Sequence, residues 1–142
     1  MTAKEYLSQY INAQEELETL TEEVMRLRSL ATKVTVAFES DGSTQASRSS
    51  TSKIEACVDR IMETEEKIQI RAGELAEIRN QVYQTIMMVD DSKLRTLLLM
   101  RYIGGKSFET IACGMHFTYN HLLKNLHPQA LAEVDKILKL SM

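Results

Sequence analysis

Tryptophan is absent from this 142-residue chain, proline occurs once, and the aromatic set is five tyrosines and three phenylalanines. A core here has to be built from Leu, Ile, Val, Met and Ala, which is the composition of helical proteins and disfavours a β-rich fold. With a single proline, long helices can run without the kink that a missing N–H imposes. The two cysteines, Cys57 and Cys113, lie in different segments and read as reduced thiols with no disulfide. No stretch approaches the roughly 18 apolar residues that a membrane span needs, and the opening MTAKEYLSQY lacks the apolar core of a signal peptide. A cytoplasmic protein is expected. There is no Gly-rich phosphate loop, no GxSxG and no HExxH, and the acidic residues are spread along amphipathic stretches, so an enzyme is not expected.

What the chain does have is heptad order. Tyr10, Ala13, Leu17, Leu20, Val24, Leu27, Ala31, Val34 and Phe38 keep an unbroken alternation of three and four, which is a coiled-coil seam. A second series, Ile54, Ile61, Ile68, Leu75, Val82 and Val89, repeats every seven residues; Val58, Ala72 and Ile86 are its companions four later, with Glu65 and Arg79 interrupting. Between the series, residues 39–52 are rich in serine and hold no large apolar side chain after Phe38, so a loop is expected there. Ser52 stands in capping-box spacing from Glu55 at the start of the second series. Residues 1–90 thus read as a long antiparallel helical hairpin, coiled-coil-like. Its narrow seams would be covered more completely by a second copy, which predicts a homo-oligomer, a dimer in the simplest case, assembled through residues 3–89.

Residues 91–142 change character. After Asp90 and Asp91 come the apolar LRTLLLMRYI, the pair Gly104 and Gly105, and KSFETIACGMHFTYNHLLKNLHPQAL. This divides into a short helix over 107–115, a turn at His116 and Phe117, and a longer helix from Thr118, the layout of a helix-turn-helix domain. Ser107 and Thr118 stand at N-cap positions, and Ala112 is small where the two helices would cross. Tyr119, Asn120, His121, Lys124 and Asn125 then fall on the first two turns of the second helix, the part that enters a DNA major groove in such domains. Asn can pair bidentately with adenine, and Lys can reach guanine or phosphate. Lys106, Arg101 and Arg95 are candidate phosphate contacts. Charge divides the same way: residues 1–92 hold 10 Lys+Arg and 17 Asp+Glu, whereas residues 93–142 hold 7 and 3. His116 departs from the glycine often found at such a turn, because a left-handed backbone costs more at His. Cys113, His116, His121 and His127 are all metal-ligand types within fifteen residues. The helical reading places His121 on a different helix from Cys113 and His116, and His127 just before Pro128, so neither a metal nor a cofactor is expected.

LRTLLLMRYIGGKSFETIACGMHFTYNHLLKNLHPQAL resembles the fourth conserved region of sigma-70-type factors, with its leucine-rich helix, the RY..G.S...IA..M first helix, a capped second helix and the trailing H..AL. The whole layout is similar to phage-encoded transcriptional regulators of the RinA and ArpU type, and to a related uncharacterised phage family with the same long helices and sigma-like tail. The resemblance implies a phage or prophage transcriptional regulator in a bacterial host, activating late genes by binding double-stranded promoter DNA, with RNA polymerase as a further partner. Two alternatives remain open: a DNA-packaging protein of the small-terminase kind, and a polymerase-binding adaptor.

Overall fold

In the computed structural model, the backbone is described for residues 1–41 and 46–141, and the side chains among them for all but 34, 35 and 37–50. Val34 and Phe38, expected at the first seam, lie outside those side chains. The described residues form six α-helices: α1 Ala3–Asp41, α2 Ala46–Met87, α3 Ser92–Leu98, α4 Phe108–Met115, α5 Tyr119–His121 and α6 His127–Leu140. α3 continues into a wider π-helical segment, Leu99–Ile103, and a second one, Leu122–Leu126, joins α5 to α6. Among the described residues there is no strand, so the fold is all-α as expected. None of their helices is long and apolar enough to cross a membrane.

Most of the Ser-rich stretch expected as a loop is helical. Residues 39–41 and 46–52 are helical, and Ser52 lies inside α2 rather than capping it. Only 42–45 of the expected loop fall outside the described residues. Ser, Thr and Arg cost a helix only a few tenths of a kcal/mol each relative to Ala, and Gly about 1 kcal/mol.

The chain forms two compact units. One unit comprises Met1–Gln14 and Glu74–Met142; the other is Glu15–Gly73. The second, a hairpin unit, pairs α1 with α2 in antiparallel fashion: Glu16 meets Arg71 at 3.2 Å, and Arg28 meets Glu65. Val24 and Leu27 are buried there, while Leu17, Leu20 and Ala31 are half-buried. On α2, Ile54, Ile61 and Ile68 face inward as expected, but their companions lie three residues later rather than four. Cys57, Thr64 and Arg71 are half-buried, whereas Val58 and Ala72 are exposed. Positions three and four beyond a seam residue flank it on opposite sides. The Arg28–Glu65 pair shows that the fourth position borders the seam's edge, where a salt bridge can close over it.

The first unit holds the larger core. Thr2 and Glu5 form a reciprocal capping box at the start of α1, with Thr2 N–H donating to Glu5 Oε2 at 3.1 Å and Glu5 N–H to Thr2 Oγ1 at 3.2 Å. That start delivers Ala3 and Leu7 into a cluster with Val82, Ile86 and Val89 of the α2 end, Leu97, Leu98, Ile111, Leu122, Leu126 and Val134. Tyr6 bonds Thr85 Oγ1 at 3.0 Å beside it, so here too α1 and α2 run antiparallel. Asp91 caps α3 by accepting from the N–H groups of Lys93 and Leu94 at 2.8 and 3.3 Å.

The π-helical segment after α3 closes against two glycines. Gly104 N–H donates to Leu99 O at 2.9 Å and Lys106 N–H to Met100 O at 3.0 Å. A Cβ at Gly104 would stand 2.9 Å from the Met100 carbonyl oxygen, and Gly105 has a φ of +67°. The left-handed conformation costs an L-residue roughly 1–2 kcal/mol. Gly105→Ala is therefore expected to lower stability by about 1–2 kcal/mol in denaturant unfolding, whereas Gly73→Ala, with nothing within 4 Å of its added Cβ, leaves stability unchanged or raises it.

Candidate functional site

The exposed polar side chains that the sequence singles out are brought together by two local capping devices and one turn. Ser107 is extended, and its hydroxyl accepts from Thr110 N–H at 3.2 Å, which starts α4. α4 turns Ile111 and Ala112 into the core. It ends at His116, whose φ of 62° and ψ of 38° are left-handed. Phe117 N–H donates to Ala112 O at 2.9 Å and His116 N–H to Cys113 O at 3.3 Å. These two bonds are the Schellman pattern, in which a residue of positive φ returns the chain to the last carbonyls of the helix. His116 thus takes the place that glycine usually fills, and the turn keeps its ordinary length. Thr118 is extended in its turn, and its hydroxyl accepts from His121 N–H at 3.1 Å, starting α5.

From Tyr119 to Leu140 the backbone stays helical, passing through the π-helical segment into α6. Pro128 falls in the first turn of α6, next to a local widening of the helix. His127 N–H donates to Leu122 O, five residues back. A ladder loosened in this way accommodates a residue with no N–H and a ring that clashes with the carbonyl four positions earlier. The inner side of this helix carries the buried Leu122, Leu126, Ala130 and Val134. The other side, over its first two turns, carries Tyr119, Asn120, His121, Lys124 and Asn125, all exposed. Two of them touch: Asn125 Nδ2 lies 2.8 Å from His121 Nδ1. Phe117 packs tilted against the His121 ring at 5.6 Å.

The flanking cations divide. Lys106 is exposed in the loop before α4. Arg101 is half-buried; its Nη1 donates to Lys106 O at 3.0 Å and its guanidinium lies 4.3 Å from the centre of the Phe108 ring, so it holds that loop in place. Arg95 is half-buried as well, and its Nη1 donates to Val89 O at 2.9 Å beyond the end of α2. Lys93, absent from the sequence-based set, is exposed with its ammonium 5.8 Å from the Phe117 ring, beside the turn that precedes α5. Its only sequence signal is a position in the first turn of a helix, where the macrodipole disfavours a cation. Counted over the whole unit, nine Lys+Arg stand against eight Asp+Glu. The basic excess of residues 93–142 is offset by Glu5 on α1, Glu74 and Glu77 on α2, and Asp90 and Asp91 after it.

Behind the exposed face lies a buried polar pair. Tyr102 hydroxyl and His127 Nε2 are 2.7 Å apart, and the edge of Phe108 meets the His127 ring at a centroid distance of 4.8 Å. Burial holds the His127 imidazole below its ordinary pKa, and the positive charges of Lys4 and Arg101 act in the same direction. Burial likewise raises the pKa of the Tyr102 hydroxyl, which Arg101 partly offsets. His127 is therefore a neutral packing residue. Among the described residues no three His, Cys, Asp or Glu side chains are placed to hold a metal ion.

No family model, curated protein or solved structure matches this chain.

The lowered pKa of His127 fixes the sign of a pH effect. The unfolded chain takes up a proton at this position more readily than the folded one. Its contribution is complete above the ordinary histidine pKa of about 6.5 and is lost as pH falls toward the lower folded value. Thermal unfolding between pH 8 and pH 5 should show a decline in stability below about pH 6.5 that is shallower in His127→Gln, which removes the titration and keeps a hydrogen-bonding side chain. An equal slope in both proteins would assign the decline to other groups.

Proposed function

We propose that this protein is a sequence-specific DNA-binding regulator of phage or prophage transcription, and that α3, α4 and the helix beginning at Tyr119 form a sigma-region-4-like helix-turn-helix domain. The observation that carries the reading is the composition of one helix face. Over two turns after the Thr118 cap, every exposed side chain that the sequence nominates can bond a base edge or a phosphate, while Leu122 and Leu126 anchor the same turns in the core. α4 crosses behind it with Ile111 and Ala112 buried, which suits a supporting helix. Under this reading Tyr119, Asn120, His121, Lys124 and Asn125 contact bases. Lys106, Lys124 and Lys93 supply exposed cations to the phosphates, and Arg101 and Arg95 act mainly by bracing the loop before α4 and the end of α2. Binding to RNA polymerase is the further partner that the sigma-like layout suggests, and the bacterial cytoplasm is where such a regulator works.

Binding to fragments of a host phage or prophage genome tests this reading. Selective, saturable binding that weakens steeply with salt is expected, and the triple variant Asn120→Ala, His121→Ala, Lys124→Ala should lose at least tenfold in affinity for the selected site, on the scale of about 1–3 kcal/mol per base contact. Unchanged affinity in that variant would place the reading surface elsewhere. No selective binding by the folded protein would favour the adaptor reading.

The proposal includes a dimer made through the hairpin. Its second unit buries only Val24 and Leu27 among the described side chains, and leaves Met25 at 65% and Met62 at 63% exposure. Each methionine lies one helical turn before a member of the Arg28–Glu65 pair, so both border the same side of the seam, joined by Val58 two turns from Glu65. A twofold axis through this side would bring the Arg28 of one copy towards the Glu65 of the other and cover the methionines, completing a four-helix bundle. Molar mass by light scattering should give a dimer for the native chain and a monomer for Met25→Glu, Met62→Glu. A ring of eight or more copies would instead support the packaging alternative.

A further inference from the structure

The contact between His121 and Asn125 has a direction that the atoms themselves set. An amide nitrogen donates hydrogen bonds and accepts none. With Asn125 Nδ2 placed 2.8 Å from His121 Nδ1, the imidazole nitrogen must be the acceptor, and the ring proton resides on Nε2. The His121 main chain is held by its N–H bond to the Thr118 hydroxyl at 3.1 Å, and the Phe117 ring packs on the imidazole at 5.6 Å. Both side chains are exposed, one turn apart on the same face.

We infer that His121 and Asn125 work as one reading element, in which His121 orients the Asn125 amide for adenine. This rests on the DNA-binding reading above. One amide N–H of Asn125 is engaged by His121. What remains is Oδ1 as acceptor and the second N–H as donor, the pair that matches the adenine N6–H and N7 in the major groove. Without His121 the amide rotates freely about its last torsion and presents oxygen or nitrogen indifferently. His121 is thus a positioning residue for Asn125. An Asn on a helix surface without such a partner would have to be ordered by the DNA at the moment of binding, which costs affinity and discrimination.

The test is selection from a randomised duplex library, followed by affinities for duplexes differing at single base pairs. The proteins compared are the full-length native chain, His121→Ala, Asn125→Ala and the double variant, each checked for an unchanged melting temperature. The native protein should prefer adenine at one position by about tenfold or more, the scale of one bidentate contact. Either single variant should lose most of that preference at that same position while its affinity for unrelated duplex changes less than about twofold, because phosphate contacts carry non-specific affinity. The double variant should be no worse than Asn125→Ala alone. Independently of DNA, nitrogen-15 shifts of the His121 ring should show the proton on Nε2 in the native protein, and should change in Asn125→Ala. Additive losses at the adenine position, an adenine preference that survives in His121→Ala, or a proton on Nδ1 would each overturn the pairing while leaving the DNA-binding reading intact. A native protein that selects no sequence would overturn both.

Discussion

The hydrogen bond between Tyr102 and His127 is the constraint on which the placement of the exposed helix face depends. Tyr102 belongs to the π-helical segment that follows α3, and His127 comes directly after the π-helical segment that follows α5. Each is buried. A buried polar group left without a partner costs about 1–3 kcal/mol, so neither side chain can be turned away without loss. The bond therefore fixes the two widened segments against each other. Phe108 packs its edge on His127 and carries Arg101 on its ring, which brings the start of α4 into the same arrangement. The imidazole thus adds a directional tie to the apolar core that joins α4 and the helix from Tyr119 to α3.

The two widened segments have separate local causes. In the second, a proline that removes an N–H sits in the next turn, and the five-residue bond from His127 to Leu122 loosens the ladder ahead of it. In the first, Gly104 and Gly105 let the chain fold back over the Met100 carbonyl, a space that a Cβ at Gly104 would close. Wider turns shift the side chains that follow them around the helix axis. Without the second one, His127 would rotate away from Tyr102, and the buried stripe of Leu122 and Leu126 would fall out of line with Ala130 and Val134.

Much of this was legible in the sequence wherever the signal is local. The hydroxyl caps at Ser107 and Thr118 depend on residues three apart, and both work as the spacing suggests. Seam positions such as Ala13, Val24 and Leu27 follow from periodicity alone. The features that could not be read involve choices between near-equal alternatives or distant partners. The heptad pattern of α2 leaves its companions ambiguous between three and four residues on, and Val58 is more apolar than Thr64, yet Thr64 faces the seam. Arg95 and Arg101 look like free cations until Val89 O and Lys106 O are seen to engage them. That Leu7, Val82 and Ile86 share a core with Leu98 and Ile111 could not be read either, because a continuous seam carries no mark where its neighbours change.

Electrostatics explains why assembly and recognition belong together in the proposed function. The unit that carries the exposed face has nearly balanced charge, and only Lys93, Lys106 and Lys124 surround that face as exposed cations. Phosphate neutralisation dominates the sequence-independent part of DNA affinity, and three contacts supply little of it at physiological salt. Base discrimination by a handful of Asn, His and Tyr side chains adds selectivity on top of a weak base. One copy would therefore bind DNA poorly however well its amides were oriented. Joining two copies makes the second encounter intramolecular, so affinity rises without any new contact. In the proposed dimer the hairpin, whose Met25 and Met62 lie exposed, would supply the means of joining them. Under the proposal, a weakly charged reader and a hairpin with few buried side chains are each marginal alone, and dimerisation would remedy both.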